Sequence, residues 1–230
     1  MMTLYEEITF LSLHPSTNKF PRSFPDLYYC ITSGILVELS SRKRIRKNED
    51  GALEVIDHRL TGEPVLDDAM NLMMKKQRTM GPKDWIVTLT RISGLLDRVI
   101  ESLVAKGLVS RRKKTVFIFP LTRYHAVNPA LIQTLQHRIR IIEDAARNER
   151  TACLISLVLG GERFLGHLFS SEEWTELKER FRRFIADHPM PTTVRDVLYQ
   201  QSSDDLTAVL LLTTMSTVDA GSDGGADGGD

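Results

Sequence analysis

Apolar residues in this chain recur mostly at steps of three and four, the spacing of one buried stripe on a helix. From Pro25 to Ser40, PDLYYCITSGILVELS sets Leu27, Ile31, Ile35, Leu36 and Leu39 on one face, opening after Pro25 and Asp26, an aspartate that can cap it. TGEPVLDDAMNLMMKK predicts a second helix, opened by Thr61 and Pro64 and turning Leu66, Met70 and Met73 inward. LLDRVIESLVAKG predicts a third through Leu95, Val99, Leu103 and Val104, stopped at Gly107, where helices commonly end in a left-handed residue. Beyond Pro129, ALIQTLQHRIRIIEDAARN reads as a long amphipathic helix. TACLISLVLGGERFLGHLF is apolar nearly all round, which predicts a central one. SEEWTELKERFRRFIADH carries Ser171, Glu172 and Glu173 at its positive end and Arg180, Arg182 and Arg183 late, so helix-end electrostatics account for its charges.

Two stretches break this period. After the first helix come RKRIRK, an NEDG turn and ALEVID; after the third come LVS, RRKK read as a basic turn, and TVFIFPL. The order helix, basic stretch, hairpin therefore occurs twice, with few shared letters. In the second hairpin Val116 and Ile118 fall on one face of an extended strand and Phe117 and Phe119 on the other, so both faces are apolar. The expected fold class is mainly α, a single globular helical domain around a central apolar helix, with short β-hairpins.

Composition narrows the partners. The chain has 230 residues, 42% hydrophobic, enough for a full core. Its thirty cations balance thirty acids, but four of those acids lie in the last fifteen residues, STVDAGSDGGADGGD, which have no cation. The body is therefore mildly basic, and residues 216–230 read as a disordered acidic tail after a domain spanning 1–215. MMTLYEEITF has acids where an export signal needs cations, and the longest apolar runs are about half of the ~20 residues a membrane span requires. A cytoplasmic chain with any membrane contact peripheral is expected. Cys30 and Cys153 sit in apolar stretches without metal-ligand spacing, as buried thiols in a reducing compartment would.

Catalytic patterns are missing. No phosphate-binding loop, dinucleotide fingerprint, zinc-protease or nucleophile-elbow motif occurs, and the six histidines are scattered. Asp67 and Asp68 are adjacent and diverge on a helix, so they cannot act as paired carboxylates. No enzyme activity, cofactor or metal is expected. The basic stretches remain, and they fit two partners. A helix followed by a cationic hairpin also describes a winged-helix nucleic-acid binder, although Asp97 and Glu101 on that helix repel phosphate. For an anionic membrane, about 1 kcal/mol per cation gives the four residues Arg111–Lys114 roughly millimolar binding, and both basic stretches on one face roughly micromolar.

Several segments in order resemble the Golgi phosphoprotein 3 family: LYEEITFLSL, GILVELSSRKRI, TGEPVLDDAM, DWI at Asp84–Ile86, RVIESLVAKGLV and ERTACLISLVLGG. The resemblance implies a mainly helical domain with a projecting hairpin, acting as a peripheral membrane protein that reads phosphatidylinositol 4-phosphate and retains glycosyltransferases. It also implies a head-group site of one tryptophan and several arginines near the starts of two helices. Those arginine positions fall here on Thr32, Ser93 and Leu96, and the tryptophan position near Ser23 or Phe24, so none keeps the family residue. Arg91 and Arg98 lie close by. The family hairpin is apolar where this one carries Arg111–Lys114, and only three residues precede LYEEITFLSL, too few for an arm that recruits enzyme tails. These departures suit a prokaryotic-type member.

The combined expectation is a non-catalytic peripheral membrane adaptor that binds anionic phospholipid or phosphoinositide head groups. Arg42, Lys43, Arg44, Arg91, Arg98, Arg111, Arg112, Lys113 and Lys114 are the candidate phosphate contacts. Phe117 and Phe119 are the candidate membrane or oligomer contacts of the hairpin. A membrane-protein cytosolic tail is a candidate further partner. Nucleic acid is the alternative from another class.

Overall fold

The structure is a computed structural model of the chain and describes residues 1–76, 78, 80–116, 119–143 and 148–187. Among these, nine helices and two two-stranded antiparallel sheets form, so the fold is mainly α. The order is α1 Leu4–Leu11, α2 Pro25–Ser41, β1 Ile45–Lys47, β2 Leu53–Val55, α3 Pro64–Lys76, α4 Pro82–Leu89 and α5 Leu95–Ala105. Then follow β3 Val109–Val116, β4 Phe119–Ala126, α6 Ala130–Arg140, α7 Glu149–Gly160, α8 Glu162–Leu165 and α9 Ser171–Asp187.

The apolar stripes meet in one continuous core. α7 is buried from Thr151 to Gly160, as its all-round apolar sequence predicts, but it shares the centre with α2, which packs against α1, α3, α4, α7 and α8. Three expected elements differ. The segment from Thr151 to Phe169 is not one helix, because Gly161 separates α7 from the single turn of α8. α6 stops at Arg140, where Ile141 leaves helical geometry with ψ 75°. The cations Arg111–Lys114 are no turn; they lie inside β3, and TVFIFPL is divided between β3, which ends at Val116, and β4, which starts at Phe119. Phe117 and the acidic tail at 216–230 lie outside the described residues.

α1 crosses α2 so closely that a Cβ on Gly34 would stand 3.0 Å from the Tyr5 backbone nitrogen and 3.2 Å from its Cα. That spacing forces the backbones apart for any larger residue. Gly34→Val should destabilise the protein by about 2 kcal/mol through overpacking. Denaturant titration would read this as a lower midpoint at unchanged slope; an unchanged midpoint would mean that the two helices shift freely.

Charged residues are buried beside this crossing. Glu6, with no exposed surface, accepts hydrogen bonds from the Thr3 N–H at 2.8 Å, the Ser102 hydroxyl at 2.6 Å and the Lys106 ammonium at 2.9 Å. Glu7 pairs with Arg138 at 2.6 Å. Glu38 pairs with Arg150 at 2.7 Å and accepts from the Leu4 N–H at 2.7 Å. These contacts gather the start of α1, the end of α2 and the end of α5 at one pole. At the other pole Arg22, ahead of α2, pairs with Asp97 in the first turn of α5 at 2.6 Å. Helices α2 and α5 therefore run in the same direction, with both N-termini at the pole of Arg22.

Candidate functional site

The β3–β4 hairpin leaves α5 through Leu108, whose N–H donates to the Leu103 carbonyl at 2.9 Å, and doubles back along that helix. Arg111 meets Glu101, and Tyr124, paired with Arg111 in the ladder, packs its ring 5.1 Å from that of Phe20. The Tyr124 N–H also donates to the Asn18 carbonyl at 2.9 Å. The ladder continues past these anchors through Arg112 opposite Arg123, Lys113 opposite Thr122 and Lys114 opposite Leu121. Its far end thus projects toward the pole where α2 and α5 begin.

Arg112 and Arg123 face each other across two strands. Like charges directly opposed in an antiparallel ladder repel, an arrangement that costs stability unless an anion sits between them. The Arg123 Nη1 is buried without a hydrogen-bond partner, and the exposed side chains of Arg112 and Lys113 meet no carboxylate among the described residues.

At the same pole a cleft of about 350 Å³ is lined by Arg22, Ser23, Pro25, Tyr28, Tyr29 and Thr90. The start of α2 faces it. Phe24 occupies the N-cap and offers no side-chain acceptor, Pro25 takes the first helical position, and Asp26 in the first turn supplies a negative charge at the positive end of this seventeen-residue helix. α5 also starts uncapped, after Gly94 in left-handed geometry at φ 66°. Arg22 is held by Asp97, which raises the guanidinium pKa and lowers that of the carboxyl. Arg91, next to Thr90, is exposed and has no ion-pair partner among the described residues.

The expected contacts separate into groups. Arg91 and Arg98 lie at this pole, but Arg98 is paired with Asp68 and bonded to the Ser93 carbonyl at 3.2 Å. Arg111 is paired with Glu101, while Arg112 and Lys113 have no such partner among the described residues. Lys114 and Phe119 are placed by the ladder at the far end of the hairpin. Arg42, Lys43 and Arg44 lie at the opposite end of α2, about 25 Å away at 1.5 Å per residue. There they close the helix. The Arg44 N–H donates to the Leu39 carbonyl at 2.8 Å, Lys43 is left-handed at φ 55°, Arg42 pairs with Glu38 and Arg44 with Asp57. The two basic stretches do not share a pole.

Of the positions that the resemblance marks for family site residues, Ser23 lines the cleft and Ser93 is exposed beside it, whereas Thr32 and Leu96 are buried in the core. The sequence reading missed Arg22, Tyr28, Tyr29 and Arg123. Arg22 precedes a helix-opening proline, which is a signal in retrospect; Arg123 gains its meaning from the register alone.

These parts define a mainly α domain with a projecting cationic hairpin and, among the described residues, no helix long and apolar enough to cross a membrane. The family model of Golgi phosphoprotein 3 (GPP34) matches residues 4–201, and the chain belongs to that family. Vacuolar protein sorting-associated protein 74 of Schizosaccharomyces pombe is 23% identical over 159 residues, 60% of this chain and 47% of that protein. The protein of the same name from Eremothecium gossypii is 24% identical over 159 residues, 60% of this chain and 48% of its own length. The chain spans about half the length of these curated relatives.

Proposed function

We propose that this protein is a non-catalytic peripheral membrane adaptor that binds anionic phospholipid head groups, phosphatidylinositol 4-phosphate among them, at the pole shared by the hairpin and the starts of α2 and α5. The carrying observation is the opposed pair Arg112–Arg123, with a buried guanidinium nitrogen left unpartnered, while Lys113, on the other face of the strand, has no counterion among the described residues. Cations held without counterions on a projecting element favour an external anion over an internal one. At the same pole the exposed Arg91, next to the cleft residue Thr90, adds a further cation. Family membership supports the same reading.

Nucleic acid fits less well. A reading helix needs outward side chains free to reach bases, and on α5 Asp97, Arg98 and Glu101 are all engaged in ion pairs. A cytosolic tail of a membrane protein and a second copy of the chain joined through the hairpin are further partners that this reading accommodates.

Co-sedimentation with vesicles tests it. Binding to phosphatidylserine vesicles and, more tightly, to phosphatidylinositol 4-phosphate vesicles is expected, with no pelleting on phosphatidylcholine and no displacement by duplex DNA. Equal pelleting on neutral vesicles, or displacement by DNA, would overturn the proposal.

A further inference from the structure

The segment from Phe20 to Pro25 forms a strap with a cleft on either side. Arg22, Ser23 and Pro25 line the cleft described above, while Phe20 and Phe24 line a second one of about 420 Å³ beneath the end of α1. Four basic side chains converge on the second cleft: His14 and Lys19 from the loop after α1, Arg163 from α8, and His167 beyond it. Among the described residues no carboxylate lines it. The nearest, Asp26 of α2, stands 3.8 Å from Arg163, whose side chain remains 54% exposed. The loop is held in shape by the His14 N–H donating to the Lys19 carbonyl at 3.1 Å and by Asn18 in left-handed geometry at φ 53°.

The two histidines have different proton arrangements. Their rings lie 5.0 Å apart, centroid to centroid. The His14 Nδ1 accepts from the N–H groups of Ser16 and Thr17 at 3.3 and 3.4 Å, so a proton on that nitrogen would break both bonds. The His167 Nε2 donates to the Leu11 carbonyl at 3.1 Å. A second proton on His167 goes to Nδ1 and leaves the Leu11 bond intact. His167 is thus the ring able to charge without rearrangement. Burial, then the neighbouring His14, holds its pKa below the ordinary imidazole value.

We propose that this second cleft is an oxyanion site, built for a phosphomonoester or sulfate group, in which Lys19 and Arg163 supply permanent charge and His167 takes up a proton as the anion binds. The aromatic walls of Phe20 and Phe24 exclude water from one side and strengthen each charge contact. A bound anion favours imidazolium, so by linkage the affinity rises as pH falls through the His167 titration. The other charged or titratable groups around the cleft are His14 and Lys19 from the loop, Arg163 from α8, and Asp26 of α2 beside Arg163. The site stands independently of the membrane reading, since its ligand chemistry is met equally by a soluble ester and by a phosphomonoester lipid.

Sulfate, whose charge is constant in this range, is the first probe, titrated calorimetrically into the whole chain at about pH 5.5 and about pH 8, either side of the usual imidazole value. Binding should be several-fold tighter at the lower pH, up to about tenfold for each unit by which the anion raises the His167 pKa. The His167 ring resonance should show its midpoint moving upward with sulfate. His167→Gln keeps a donor for Leu11 and should bind sulfate without the pH dependence. Lys19→Met, at an exposed position, should weaken binding at both pH values. Glycerol 3-phosphate and phosphatidylcholine vesicles carrying phosphatidic acid then separate the sources: displacement of the soluble ester by the vesicles assigns a lipid, and its retention assigns a soluble ligand. Equal sulfate affinity at both pH values, an unmoved His167 midpoint, or undiminished binding by Lys19→Met would each overturn the proposal.

Discussion

Replacing Lys106 by Met is expected to destabilise this protein strongly. Glu6 is wholly buried, and Lys106 is the cation that neutralises it, shared with Glu63 at 3.0 Å. Burial alone would raise the Glu6 carboxyl pKa. The Lys106 ammonium, the Ser102 hydroxyl and the Thr3 N–H outweigh it and hold the group below its usual range. Removing one partner of a buried pair leaves a desolvated charge, and the cost here is about 3 kcal/mol, the low end of such losses. The side chain of Lys106 is 28% exposed and the two neutral donors remain, which places it there. For a domain of this size the melting temperature should fall by roughly 6–12 °C.

The pH dependence gives the signature. In the parent protein the folded carboxyl is depressed, so Glu6 contributes stability above the usual carboxylate value, and this is lost as pH falls through the folded value. In the Lys106→Met protein, burial dominates and raises the same group above its unfolded value. Its deficit should therefore shrink on acidification, as the buried carboxyl takes up a proton. Glu6→Gln should cost less than Lys106→Met, and the double variant should recover part of the loss. Calorimetric melts of the four proteins across the carboxylate range decide it. A deficit that does not change with pH would show that Lys106 acts through packing rather than charge.

Neutralising the hairpin should abolish membrane binding, while the same loss of charge at the other pole should leave it intact. In Arg112→Gln/Lys113→Gln two cations are removed from the projecting ladder, worth about 2 kcal/mol at an anionic surface, or roughly 30-fold in partitioning. Lys43→Gln/Lys47→Gln removes the same charge about one helix length away and breaks no ion pair among the described residues. Net charge is equal in the two variants, so diffuse attraction of the whole protein predicts equal losses. The geometry predicts an effect from the hairpin pair alone. The Arg112/Lys113 variant should also gain stability, because it relieves the repulsion with Arg123. Partitioning measured on phosphatidylserine vesicles at low salt, where exposed charges act most strongly, gives the comparison. Equal losses in both variants would remove the hairpin from the site.

The helices of this fold are legible in the sequence because each carries its own signal. The stripe Leu27, Ile31, Ile35, Leu39 requires a 3.6-residue period whatever surrounds it, and all four residues are buried in α2. The stop at Gly107 needs a positive φ, which it has at 69°. Short hairpins carry weaker signals. In the second of them four cations look like a turn when their neighbours are unknown, but cross-strand pairing places them in β3. α1 carries a weaker signal, because its buried face includes Glu6 and Glu7, whose charges are compensated by Lys106, Arg138 and Arg150, far along the chain.

Helical class, basic stretches and family are legible in the chain alone, since periodicity, composition and ordered segments are local properties. The tertiary structure alone decided which charges remain free for a partner. Arg42, Arg44, Arg98 and Arg111 are cations as good as Arg112 and Lys113 on paper, yet Glu38, Asp57, Asp68 and Glu101 reach them in the fold. A charge becomes available only when packing supplies no counterion, and packing brings together residues that the sequence keeps apart. The same holds for His14 and His167, which are 153 positions apart in the chain and stand ring against ring beneath α1.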